Sequence, residues 1–267
     1  MSKSWSWAGV LVAGPVLAAL HWGFDEGPQG WMVADLSTGG PYHPPVGIYS
    51  VSHHSAGGCA GGYISRVDPS SQSFSFMMPV DQLPEGQAWA GGRLDFCLRS
   101  THQTWTSEAL VVLAAADGTV LRAPIPMPTS DWSTYRLDLL PAAFRDDTGL
   151  PPEAGRFNQL LGQLEAVYIL AEYGEQVQET TALDEVRLRP ACPDQLEAPV
   201  VNILRSGTAE QPRVDLVWAE VPGAWSYAVW REVAGTWVQV AETPSTSYSL
   251  IPPLDDVGAL RVSARCE

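Results

Sequence analysis

The sequence predicts an all-β protein of two sandwich-type domains, and three observations carry that prediction. Its 24 glycines, 22 prolines and 11 tryptophans are spread along the whole chain. Apolar runs are short and alternate with turn residues, and a single stretch places apolar residues at helical period. At 267 residues the chain holds one large or two small domains. With 17% charged and 45% apolar residues it is too apolar for disorder. Asp plus Glu number 30 against 15 for Lys plus Arg, a net charge of −15. A field of that sign repels phosphate backbones and anionic membrane surfaces, which excludes nucleic acid as a partner.

Residues 1–20 read as a secretory signal peptide. Lys3 precedes an apolar stretch from Trp7 to Leu20, and Leu17-Ala18-Ala19 supplies aliphatic and small residues for cleavage. As a helix, the uninterrupted run reaches only about 20 Å, against a hydrocarbon layer of ~30 Å, so no membrane span is expected after the signal is removed. Export to the extracellular space, the cell surface or the periplasm puts the four cysteines in an oxidising compartment where they pair.

Residues 21–190 form the first domain. Phe74 and Phe76 share one strand face, as do Leu94, Phe96 and Leu98. Leu110 to Leu113, the turn Asp117-Gly118 and Val120-Leu121 read as a hairpin. Trp132, Tyr135, Leu137 and Leu139 open a further strand after the proline-rich segment Pro124 to Pro128. Phe157, Leu160, Leu161 and Leu164 fall at i, i+3, i+4 and i+7, the stripe of a short helix that leads into a buried strand from Ala166 to Ala171. Residues 191–198, flanked by Pro190 and Pro199, are the linker, and residues 199–267 the second domain.

Several separated signatures belong together in the first domain: Phe24-Asp25-Glu26-Gly27 with Gly30-Trp31, then Gly57-Gly58-Cys59-Ala60-Gly61-Gly62-Tyr63-Ile64, then Gly91-Gly92-Arg93-Leu94-Asp95-Phe96. Trp132-Ser133-Thr134-Tyr135, the helical stripe and Leu183-Asp184-Glu185-Val186-Arg187-Leu188 follow. In this order and spacing the domain resembles the laminin B domain, or laminin type IV module A, over about 165 residues. The resemblance implies a galactose-binding-like jelly-roll sandwich, a class that binds sugars or spaces a matrix and does no chemistry. The chain departs from the family at Cys59-Ala60, where Asn-Pro is usual. The second domain, with Val214-Asp215-Leu216-Val217-Trp218, Pro222-Gly223-Ala224, Tyr227-Ala228-Val229 and Val262-Ser263-Ala264, resembles a fibronectin type III module, a smaller immunoglobulin-like sandwich. It departs at Leu260, where that family has tyrosine, and the sequence stops where a seventh strand would begin. A sheet edge left open there is a pairing site for another chain.

Asp25, Glu26 and Asp184 are candidate ligands of a structural calcium ion that would lock the first strand onto the last. Carboxylates with backbone carbonyls are the oxygen donors calcium accepts, and jelly rolls resembling this one often hold calcium between such positions. His43, His53, His54 and Cys59 match no tetrahedral zinc spacing and read as polar loop residues. Gly-x-Ser-x-Gly, Ser-x-x-Lys and His-Glu-x-x-His are all absent from the sequence. The acid pairs Asp146-Asp147 and Asp255-Asp256 lie in loops with no apolar pocket to raise one pKa. No enzyme is expected.

Aromatic residues beside amides and histidine are the better lead, because a sugar packs its C–H face on an aromatic ring while its hydroxyls bond polar side chains. Trp105, flanked by His102 and Gln103, and Trp89, near Gln87, are the candidates; Trp31, Trp132 and Trp218 read as core or turn packing. For the cysteines, an up-and-down walk through six strands returns Cys266 to the linker that carries Cys192. Cys97 alternates away from the core face of its strand and is left to meet Cys59. The other two of the three connectivities stay open. The expected function is non-catalytic binding or adhesion outside the cell, to a glycan or to a matrix or cell-surface protein. The alternatives are a structural spacer that recruits protein at its open edge, or the accessory module of a secreted hydrolase.

Overall fold

A computed structural model describes residues 19–36, 44–68, 73–83, 89–102, 109–174, 178–193, 196–207, 212–221, 223–251 and 258–266. The candidates Trp105 and Gln103, the acids Asp255 and Asp256, and nearly all of the expected signal segment fall outside them. In chain order the first domain contains β1 (Leu20–Trp22), β2 (Met32–Leu36), β3 (Gly47–Ser50), β4 (Ser52–His54), β5 (Tyr63–Val67) and β6 (Ser73–Met77). Then come β7 (Arg93–Ser100), β8 (Ala109–Ala115), β9 (Val120–Ile125), β10 (Ser133–Asp138), α1 (Ala154–Gly162), β11 (Leu164–Leu170) and β12 (Thr180–Arg189).

Two six-stranded antiparallel sheets face each other. One has the order β10-β7-β12-β5-β4, with β1 also on β12; the other runs β3-β2-β6-β11-β8-β9. Period-two pleating decides which side chains meet between them. Leu94, Phe96 and Leu98 of β7 pack with Phe74, Phe76, Val111, Val167 and Ile169 of the facing sheet. The alternate residues of β7, Arg93, Asp95, Cys97 and Arg99, are thereby turned to the outer face of the first sheet. Phe157, Leu160 and Leu161 are the buried residues of α1. Leu164, read as the last member of that stripe, instead opens β11, because the helix stops at Gly162 and the strand begins two residues later.

β12 serves two neighbours on one side. Thr180 to Leu183 pair with β5, and Val186 to Leu188 pair with β1. Between these stretches its register against β7 shifts between Asp184 and Arg187, and Glu185 adopts a positive φ of 51°. The bulge carries Asp184 to the point where the chain after β1 and the glycine-rich loop before β5 converge.

The second domain has β13 (Val201–Gly207), β14 (Pro212–Trp218), β15 (Ser226–Val233), β16 (Thr236–Thr243), β17 (Ser247–Leu250) and β18 (Leu260–Arg265). They form two three-stranded sheets, β13-β14-β17 and β16-β15-β18, around Val214, Leu216, Trp218, Tyr227, Val229 and Val262. Among the described residues β18 pairs with β15 alone.

The domains meet at Trp225, just before β15. Its indole N–H donates to the Pro190 carbonyl at 3.1 Å, and the Arg93 and Arg189 guanidinium groups lie 4.4 and 5.7 Å from its ring centroid. A disulfide joins Cys192 to Cys266, with Cα atoms 5.9 Å apart. The second disulfide joins Cys59 to Cys97, at 6.3 Å. These are the two pairs read from the sequence.

Candidate binding site

The glycine-rich loop before β5 is pinned by two carboxylates. Asp184 Oδ2 accepts the amide N–H groups of Cys59 at 2.6 Å and Ala60 at 3.1 Å, and Asp25 Oδ1 accepts that of Gly62 at 2.9 Å. Asp184 is fully buried; burial pushes its carboxyl pKa up, opposed by the amides of Ala60, Glu185 and Cys59. Glycine is required by the closeness of this packing. A Cβ on Gly62 would stand 2.3 Å from the Phe24 carbonyl oxygen, and one on Gly58 2.5 Å from both Asp184 Oδ2 and the Gly62 carbonyl oxygen.

Asp25 and Asp184, two of the expected calcium ligands, thus both reach the glycine-rich loop and accept its amide N–H groups, and a Cβ on Gly58 would also stand within 2.9 Å of the Gly61 and Gly62 carbonyl oxygens. Among the described residues no three His, Cys, Asp or Glu side chains form one group, so a calcium ion here would draw on backbone carbonyls beside the carboxylates.

Beside this loop, on the outer face of the first sheet, lies a groove of about 370 Å³ whose lining includes His54, Tyr63, Arg99, Ser65, Thr101 and Ser130. It follows from the pleat: Ser52 and His54 of β4, Tyr63 and Ser65 of β5, and Arg99 of β7 are the alternates that the core does not take. His54 stacks on Tyr63 with ring centroids 4.3 Å apart, and its Nε2 lies 2.8 Å from Ser65 Oγ. Trp132 meets the Tyr63 ring edge-on at 5.6 Å and donates its indole N–H to the Gly57 carbonyl at 3.1 Å. The Arg99 guanidinium covers both rings, 4.6 Å from the Trp132 centroid and 5.1 Å from that of Tyr63. Guanidinium, imidazole, ring edges and hydroxyls therefore converge on one open surface.

Of the aromatic candidates, Trp89 must be corrected. It is 3% exposed and belongs to the core, because the turn at Gly91 and Gly92 returns the chain into β7 and points the indole inward. Trp132 is corrected in the opposite sense. It immediately precedes β10 and is half-exposed against Tyr63 and Arg99 at the groove's side, whereas Trp31 and Trp218 are buried. His102 is half-buried at the end of β7; its backbone amide donates to Ser100 Oγ at 3.3 Å, and Ser100 and Thr101 line the groove. His54, Tyr63, Arg99 and Trp132 were missed as ligand-binding residues. The period-two alternation of β4, β5 and β7 marks the first three as outward-facing, but nothing local says that these strands share one sheet face, with β12 between β5 and β7.

Known proteins were compared with the chain by sequence, by family model and by structure. No curated protein matches the chain in sequence. Among solved structures, the L4b domain of human laminin alpha-2 is similar, with 9% identity, 64% of this chain and 98% of that chain covered, and a TM-score of 0.49. The family 11 carbohydrate-binding module of cellulosomal cellulase Lic26A-Cel5E of Clostridium thermocellum gives 14% identity, coverage of 67% and 98%, and a TM-score of 0.42. A beta-1,2-glucanase from Parabacteroides distasonis gives 13% identity, 87% of this chain against 32% of that chain, and 0.36. Among the described residues no helix is long and apolar enough to cross a membrane. Residues 88–203, which run from before β7 to the start of β13, match the family Laminin B (Domain IV), and that match together with two disulfides fits an extracellular protein.

Proposed function

We propose that this chain is a non-catalytic, secreted glycan-binding protein whose ligand lies in the groove formed by β4, β5, β12 and β7. The observation that carries the proposal is the convergence of Arg99, Tyr63, Trp132 and His54 with hydroxyl side chains on an open sheet face. Such a surface suits a hydroxyl-rich ligand: a guanidinium and an imidazole exchange hydrogen bonds with sugar hydroxyls, and aromatic rings take the C–H faces. His102, at the groove's end, belongs to the same surface. We read residues 199–267 as a fibronectin III-like module held against the first domain through Trp225.

The test is retention on a polysaccharide panel by affinity electrophoresis, comparing the full chain with Trp132→Ala and Arg99→Ala. Retention by the parent, lost in both variants with unchanged circular dichroism, supports the proposal. Failure of the parent to bind any glycan overturns it. A second reading then takes its place, an adhesive spacer that recruits a protein strand along β18, which has a neighbour on one side only among the described residues.

A further inference from the structure

A second concavity lies at the junction of the two domains, about 480 Å³ in volume, on the same outer sheet face but on the other side of the Cys59–Cys97 disulfide. Its charge is unusual for this chain. Arg93, Arg136, Arg187 and Arg189 line it with three acids, Asp95, Glu185 and Glu242, so the cleft is net positive in a molecule whose total charge is −15. Charge in a walled cleft is felt by a ligand more strongly than the same charge on an open surface.

Part of this cluster is structural. Arg93 and Arg189 both meet Asp95 through Nε, at 3.0 and 3.1 Å, and both guanidinium groups lie over Trp225. Arg187 is paired with Glu185. A clamp between the domains needs no more than these. Arg136, projecting from β10 opposite Asp95, is exposed and forms no ion pair among the described residues, while Asp95 is taken by the Nε groups of Arg93 and Arg189, which leaves Arg136 the donor open to a ligand. An arginine fork with free donors in a cleft is a receptor for planar or tetrahedral oxyanions.

We infer that the interdomain cleft binds the acidic groups of a glycan, a uronate carboxylate or a sulfate ester, so that the ligand is an acidic polysaccharide. This rests on the glycan-binding proposal for the neighbouring groove. Arg93 and Arg99 lie six residues apart on β7, about 20 Å at the strand rise, so one polymer chain along the sheet face reaches both sites. The second domain contributes Trp225, Ser226 and Glu242 to the lining and thereby completes the site.

The experiment measures affinity of the full chain for polygalacturonate, for dextran sulfate and for a neutral mixed-linkage β-glucan at low and high salt, with Arg136→Ala as the variant. The exposed position of Arg136 leaves the fold intact, checked by an unchanged melting temperature. Expected is an acidic polymer bound at least tenfold more tightly than the neutral one at low salt, with that preference reduced fivefold or more by Arg136→Ala and by 500 mM NaCl. Which of the two acidic polymers is held separates carboxylate from sulfate recognition. Equal affinity for acidic and neutral polymers, or an acidic preference untouched by Arg136→Ala, overturns the inference and leaves the glycan-binding proposal standing. Retention of none of the three overturns the inference, and failure of the wider panel as well overturns the proposal beneath it.

Discussion

Asp184 Oδ2 accepts the amide N–H of Cys59 at 2.6 Å across 125 residues of sequence. That bond, with the one from Ala60, ties the strand that closes the first domain to the glycine-rich loop before β5. Asp184→Asn keeps the volume but turns an N–H₂ group towards backbone donors, and the expected loss is about 2–3 kcal/mol in urea denaturation. Melting temperature measured in EDTA and again with added calcium tests whether this carboxylate also holds the expected calcium ion. A fall of several degrees in EDTA that added calcium restores supports the calcium ion, and an unchanged melting temperature counts against it.

Gly62→Ala drives a methyl group against the Phe24 carbonyl, backbone that cannot yield. The expected cost is about 2 kcal/mol or more. Gly155→Ala is the control: it lies in α1, and its Cβ would meet nothing within 4 Å. Stability there is expected to rise by roughly 0.5–1 kcal/mol. Equal effects at the two positions count against the packing described for the loop.

The two reassigned tryptophans separate core from surface. Trp89→Ala removes a buried indole and is expected to cost about 3–5 kcal/mol. Trp132→Ala, half-exposed over Arg99, is expected to cost well under half of that. Denaturant midpoints of the two variants decide the matter, and similar losses would place Trp132 in the core as its sequence context suggests.

Glu179 makes stability depend on pH in an unusual direction. It is fully buried, and its carboxyl pKa is pushed up to about 7, chiefly by burial and further by the neighbouring Glu172 and Asp68, against the Tyr173 amide N–H that favours the charged form. The folded state therefore holds a proton that the unfolded chain releases near pH 4.5. The stabilisation is fully present below that pH and lost as pH rises through about 7, up to about 3 kcal/mol from this group. Glu179→Gln is expected to flatten the stability profile between pH 5 and 8; an unchanged slope excludes Glu179 as its source.

Cys192→Ser with Cys266→Ser opens a loop whose ends are 74 residues apart. Chain entropy alone puts the cost near 4 kcal/mol. Trypsin is expected to cleave residues 199–267 of the double variant faster than those of the parent, while the first domain persists. Equal cleavage rates would mean that the core around Trp218 suffices without the bridge.

Much of the fold is legible in local patterns. Alternation placed Leu94, Phe96 and Leu98 inside and Cys97 outside, and that alternation is what brings Cys97 to the glycine-rich loop. Phe157, Leu160 and Leu161 are buried on one side of a helix, as their spacing requires. The error at Leu164 has a local cause, since an apolar residue at i+7 serves equally well as the first residue of a buried strand. Trp89 and Trp132 were misjudged because both stand beside turns, where no periodicity assigns a face.

Sequence by itself determined the class: which residues alternate, where turns fall, that acids outnumber bases and that the cysteines suit an oxidising compartment. These are properties of a few consecutive residues or of the whole composition, and the backbone's period converts them directly into inside and outside. Only the tertiary structure decided that Arg99, Tyr63 and His54 share a groove, and that Arg93, Arg136 and Arg189 share a cleft with Trp225. Such sets are drawn from strands far apart in the chain, and their meeting depends on strand order and register, which no single strand's residues encode.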